Sequence, residues 1–169
     1  MGNLCCSVEV PKSTVAIQQK FGRHHKNLYV GRHCSPWICG YEVVGELSLR
    51  IQQLDDVKCS SKTKDNENVD VIASVRYKVD RVYEAFYTYD NPRELIRDCT
   101  KHAIGCYIER CNLDELSDLE QISACVIQRV KELLDDSGYA IVEAVIVDIK
   151  WDTLLENPMM EINAGRHRK

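Results

Sequence analysis

The sequence predicts an α+β domain, with paired strands first, helices next and one closing strand. Three observations carry that expectation. Residues 47–57 and 69–79 alternate apolar and polar side chains with the period of a strand. Two later stretches place apolar residues at helical spacing behind helix-start signals. Residues 139–151 then form a β-branched run with little polar interruption. The chain has 169 residues, enough for one domain with a sizeable core.

The elements follow in order. Residues 14–21 (TVAIQQKF) read as a short strand after Pro11, and residues 22–32 as a polar, His-rich loop with a turn at Gly31. In residues 47–57, Leu47, Leu49, Ile51 and Val57 share one face against Ser48, Arg50 and Gln52. In residues 69–79, Val69, Val71, Ala73, Val75, Tyr77 and Val79 oppose Asp70, Ser74, Arg76 and Lys78. The polar loop 58–68 joins these runs into a long antiparallel hairpin.

Residues 80–89 read as a short aromatic helix. Asn91-Pro92 supplies an N-cap and a first-turn proline for the next helix. Its stripe is Leu95, Ile96, Cys99, Ala103 and Cys106, running towards Cys111. Ser117 and Glu120 have capping-box spacing. The following stripe is Leu119, Ile122, Val126, Val130 and Leu133, closed by Gly138. The β-branched run 139–151 reads as a central strand or one covered on both faces. A last helix is expected after Asp152, with Leu154, Leu155, Met159 and Met160.

Composition narrows the function. The first residues contain no apolar secretory core, and no run reaches the roughly 18 apolar residues of a membrane-spanning helix. Nine cysteines fall short of the roughly 8–10 % of a disulfide scaffold. Their odd number makes reduced thiols the default. The net charge is −4, yet residues 1–45 hold Lys12, Lys20, Arg23, Lys26 and Arg32 against only Glu9 and Glu42. A basic N-terminal part suits an anionic membrane leaflet. The acidic remainder argues against nucleic acid.

Chemistry-bearing motifs are few. There is no phosphate-binding glycine loop and no nucleophile elbow. His24, His25, His33, Cys34 and Cys39 form a ligand-like cluster, but their spacing matches no compact zinc module, so no metal or cofactor is expected. His102 and Cys106 share a helical face, inside a stripe the core needs. A metal or thiol protein is therefore only an alternative reading. The sharpest signal is Met1-Gly2-Asn3-Leu4-Cys5-Cys6. Gly2 is a candidate for N-myristoylation, with Cys6 where Ser or Thr is usual, and Cys5 or Cys6 for palmitoylation. The plainer reading is a common Met-Gly start beside incidental cysteines.

The stretches MGNLCC, STVAIQQKFG, HCSPWICG, LSLRIQQLD, TKDN, GYAIVEAVIVDI and MMEINA, in this order, carry a resemblance. The chain resembles the hypersensitive-induced response proteins of plants, within the stomatin/prohibitin/flotillin (SPFH, Band 7) superfamily. The resemblance implies a non-catalytic scaffold of plasma-membrane microdomains, held at the cytoplasmic face by lipid on Gly2 and on Cys5 or Cys6. It implies other SPFH subunits, membrane lipids and plant immune receptors as partners. Trp37 and Ile38 are expected as shallow membrane anchors, or Trp37 as a cap on the core. The implied organisation is an anchor at 1–7, the SPFH domain at 8–163 and a basic tail at 164–169. Family members continue into an Ala/Glu/Lys-rich assembly helix where this chain has Gly165 and basic residues. That departure leaves homo-oligomerisation open. A soluble interaction module, unable to assemble, is the alternative.

Overall fold

The computed structural model describes residues 7–151 of the chain. Among them, the first layer is built from short strands: β1 (Ser7–Val10), β2 (Thr14–Lys20), β3 (Arg23–Leu28), β4 (Gly31–Cys34) and β5 (Tyr41–Ser48). β1 pairs with β4, and β2 lies between β3 and β5, all antiparallel. The His-rich stretch after Phe21 is thus strand, not loop. Backbone pairing with β2 needs no apolar side chains, and most of β3 faces solvent.

The second layer is β6 (Gln52–Lys62), β7 (Asn68–Val79) and β8 (Tyr139–Trp151), in the order β6-β7-β8. The hairpin β6–β7 is the one the alternation predicts, with a shorter turn because pairing extends to Lys62 and Asn68. Every predicted inward residue of β7 is buried. The run 47–57, however, is two strands in two sheets, and Ile51 between them is exposed. A bulge at Asp55-Asp56 then puts two β6 residues opposite Ser74 alone. Leu54 and Val57, three apart, consequently face the same core.

Two bulges also decide β8. Val142 and Val147 are extra residues opposite β7, and each resets the alternation. Ile141, Ala144 and Ile146 turn inward while Val142, Val145 and Val147 turn out. β8 is therefore an edge strand with one exposed apolar face, not a doubly covered one.

α1 (Val82–Tyr87), α2 (Pro92–Ile108) and α3 (Leu119–Leu133) connect β7 to β8. Asn91 caps α2 by accepting from the Glu94 amide, with Pro92 at the first position. α2 lies over β6 and α3 over β8. α2 buries Ile96, Thr100, Ala103, Ile104 and Ile108, a stripe rotated from the expected one. Thr100 joins it because its hydroxyl donates to the Ile96 carbonyl at 2.7 Å and so carries no unpaired donor inward. α3 buries Ile122, Val126 and Val130, while Leu119 and Leu133 are exposed at its ends. Its cap is Asp118, accepting from the Gln121 amide, rather than Ser117. A capping box does occur one turn earlier, between Asn112 and Glu115. Gly138 ends the helical tract after a short 3₁₀ turn, Asp135–Ser137, with φ 77°. The expected helix after Asp152 lies outside the described residues.

Candidate functional site

Phe21 and Gly22 alone join β2 to β3, with φ of 50° and 76°. A two-residue hairpin with both φ positive matches the strand twist, and Asn-Gly is its usual occupant. A bulky residue there costs about 1–2 kcal/mol. Phe21 nonetheless takes that place, with its side chain 77 % exposed. Among the described residues, the costly conformation leaves most of the Phe21 side chain in solvent.

Next to it lies the 3₁₀ turn Trp37–Cys39, closed by Gly40 at φ 75°. The Gly40 amide donates to the Trp37 carbonyl at 2.9 Å, and the Phe21 amide donates to the Gly40 carbonyl at 2.8 Å. The Phe21 ring lies on Gly40 so closely that a Cβ there would come within 2.6 Å of ring carbons. Trp37 and Ile38 are 73 % and 70 % exposed. Trp37 does not cap the core. Three large apolar side chains thus form one outward patch, held by backbone hydrogen bonds to the end of β2.

The surroundings are basic. Residues 19–26 and 35–42 contain Lys20, Arg23 and Lys26, two histidines and one acidic residue, Glu42, which pairs opposite Gln19. Lys20 sits over the Tyr41 ring, 4.9 Å from its centre. The N-terminal segment enters at this end. Ser7 pairs with Cys34, which is three residues before Trp37, at most about 11 Å of extended chain. Gly2, Cys5 and Cys6 themselves lie outside the described residues.

The His/Cys cluster disperses. His24 packs edge-on against Tyr83 and Tyr87 of α1, at 5.1 and 5.8 Å, and His25 against Tyr41 at 5.3 Å. The His33 Nε2 lies 2.6 Å from the Tyr29 carbonyl oxygen. Among the described residues no three His, Cys, Asp or Glu side chains gather to hold a metal ion. Burial, above other causes, pushes the Cys59, Cys99 and Cys111 thiols up, away from nucleophilic character. Among the described helices, none is long and apolar enough to cross a membrane.

Phe21 was not marked by strand patterning, which takes it as the last residue of a strand. Its signal is local: Phe-Gly between two strands, where Asn-Gly would be the unstrained choice.

Comparison with known proteins agrees with this architecture. A sequence model of the SPFH domain / Band 7 family matches residues 8–166. The chain is 30 % identical over 171 residues to hypersensitive-induced response protein 4 of Arabidopsis thaliana. That alignment covers 98 % of this chain and 58 % of the relative, so the chain spans little more than half the relative's length. The family match over nearly the whole chain, with a hairpin-centred sheet packed under helices, makes this protein a member of the SPFH domain / Band 7 family of characteristically non-catalytic scaffolds.

Proposed function

We propose that the protein is a lipid-anchored scaffold of plasma-membrane microdomains, at the cytoplasmic face, with Phe21, Trp37 and Ile38 dipping into the interface. The observation that carries this reading is the exposed apolar patch beside the entry of the N-terminal segment. A myristoyl group on Gly2 would bind a bilayer with a constant of about 10⁴ M⁻¹, too weak for residence alone. At about 1.4 kcal/mol per tenfold that is about 5.5 kcal/mol. A palmitoyl group on Cys5 or Cys6 would supply the second signal. The patch adds amphipathic contact, and Lys20, Arg23 and Lys26 add about 1 kcal/mol each where they reach an anionic leaflet.

The scaffold would concentrate partners: membrane lipids, other family subunits, and immune receptors or signalling proteins of plant defence. The similarity to a hypersensitive-induced response protein supports the defence assignment. The test is membrane fractionation of wild type, Gly2→Ala and Trp37→Ser/Ile38→Ser expressed in plant cells. Gly2→Ala is expected to be mostly soluble, and the double variant to be released by salt that leaves wild type bound. Equal membrane recovery and equal salt resistance in all three would reject the reading. Light scattering of the purified protein decides between an assembling scaffold and a module that stays monomeric.

A further inference from the structure

A groove of about 400 Å³ runs between α2 and α3 on their solvent side. Cys106 and Tyr107 of α2 and Arg110 just past its end line one side, and Cys125, Arg129 and Glu132 of α3 the other. Cys125 and Arg129 are four apart on α3 and share a helix face, and Arg110 follows Cys106 at the same spacing. The expected core stripe of α2 includes Cys106. The buried stripe of Ile96, Thr100, Ala103, Ile104 and Ile108 turns it out instead, to the groove. There its Sγ lies 3.7 Å from His102 Nε2 and 3.9 Å from Nδ1.

We propose that Cys106 is a thiol–disulfide exchange site for a small, carboxylate-bearing disulfide of the oxidised-glutathione type. The groove volume lies within the range of small-molecule sites. Arg110 matches a carboxylate of such a ligand, since a planar guanidinium binds a carboxylate by paired hydrogen bonds. Arg129 already holds Glu132 at 2.8 Å, so Arg110 is the more available of the two. His102 supplies the base. Reactive thiols sit in electropositive, partly exposed surroundings, and here Arg110 supplies the charge, since Glu132 lines the groove and offsets Arg129.

The step balances without further reagents. The Cys106 thiol passes its proton to His102, and the thiolate attacks one sulfur of the disulfide. A new bond forms between Cys106 and that sulfur, and the ligand's own S–S bond breaks. The departing thiolate takes the proton. Cys106 is oxidised, and the departing half of the ligand is reduced. Excess thiol reverses the exchange. The bulky anionic adduct would fill the groove and change the charge of the outer α2–α3 face. The protein remains non-catalytic throughout, because the modification is stoichiometric.

Other cysteines provide internal controls. Cys125 lines the same groove, and Cys39 is exposed elsewhere. The test incubates the full chain with oxidised glutathione at neutral pH and follows each cysteine by peptide mass spectrometry. Cys106 is expected to acquire the adduct about tenfold faster than Cys39, because His102 and Arg110 stand beside it to take the proton and hold the disulfide's carboxylate. His102→Gln should remove most of that advantage. Arg110→Ala should raise the disulfide concentration for half-maximal rate, while leaving the rate with an uncharged disulfide unchanged. Equal rates at Cys106, Cys125 and Cys39, or no effect of His102→Gln, would overturn the assignment. Far-ultraviolet circular dichroism of each variant checks that the helices are intact.

Discussion

Residues 7–48 and residues 52–151 solve different problems. The later region places Ile96, Ile104, Ile122, Val126 and Val130 of two helices on Leu54, Val57, Val71, Val75 and Ile146 of one sheet. The earlier region has a small core of Val10, Ala16 and Leu28, with Val8 and Val43 against it, and also buries Val15 and Ile17 of β2. It even buries a polar pair, Gln18 donating to Ser35 at 3.0 Å. Yet five of its large apolar side chains, Phe21, Trp37, Ile38, Tyr29 and Val30, point outward. The later region gathers most of its hydrophobic residues into one large core, while the earlier one divides them between a small core and an exposed patch. The two are joined by α1: Phe86 lies against Gly45 of β5, and the Gln19 amide donates to the Tyr87 hydroxyl at 2.9 Å.

The comparison breaks most clearly at Gly138. Its φ of 77° favours glycine, and a Cβ would strike the Ala85 amide and lie 2.5 Å from the Arg81 carbonyl oxygen. Gly138→Ala is expected to cost more than about 3 kcal/mol in urea unfolding, as strain and backbone collision combine. Ile104→Ala removes a fully buried side chain from the large core and should cost about 3 kcal/mol, read from the same curves. Leu28→Ala should cost less than Ile104→Ala, because fewer apolar neighbours surround it.

At the hairpin tip the sign reverses. Phe21→Asn should raise stability by about 1 kcal/mol, since Asn tolerates the left-handed turn. The same substitution should weaken co-sedimentation with anionic vesicles. A stabilised variant that binds less would show the strain is retained for contact. Loss of both properties would contradict the division of labour. Glu143→Ala removes the 2.8 Å ion pair with Arg76 on the exposed sheet face. It should shift unfolding by less than about 1 kcal/mol.

The smallest effect concerns alkali. Burial first, then a hydrogen bond with Cys111, pushes the Tyr107 hydroxyl from 10.0 up to about 12. The folded state thus holds the proton more tightly than the unfolded one. Its stabilisation is full below pH 10 and is lost as pH rises through about 12. Melting temperatures across that window should fall more for wild type than for Tyr107→Phe.

Much of this was legible in the residues. The unbroken alternation of residues 69–79 fixed the faces of β7, and Asn91-Pro92 fixed the start of α2, because both signals are local. The outward face of β8 was not legible. Its bulges at Val142 and Val147 exist only in register with β7, and a β-branched run gives no sign of them. Pairing likewise made a strand of the His-rich stretch, which no hydrophobic pattern announces. Of the candidate site, Trp37 and Ile38 were named from the sequence, and the choice between an outward Trp37 and one capping the core needed the structure. Phe21 entered only when its φ and its contact with Gly40 were seen.

The sequence by itself determined the α+β order, the long hairpin, the start of α2 and the family. Each rests on periodicity, capping chemistry or extended similarity along the chain. Only the tertiary structure decided which apolar residues face water. That choice depends on bulges, strand order and which helix covers which face, so identical side chains become core at Val75 and surface at Val145.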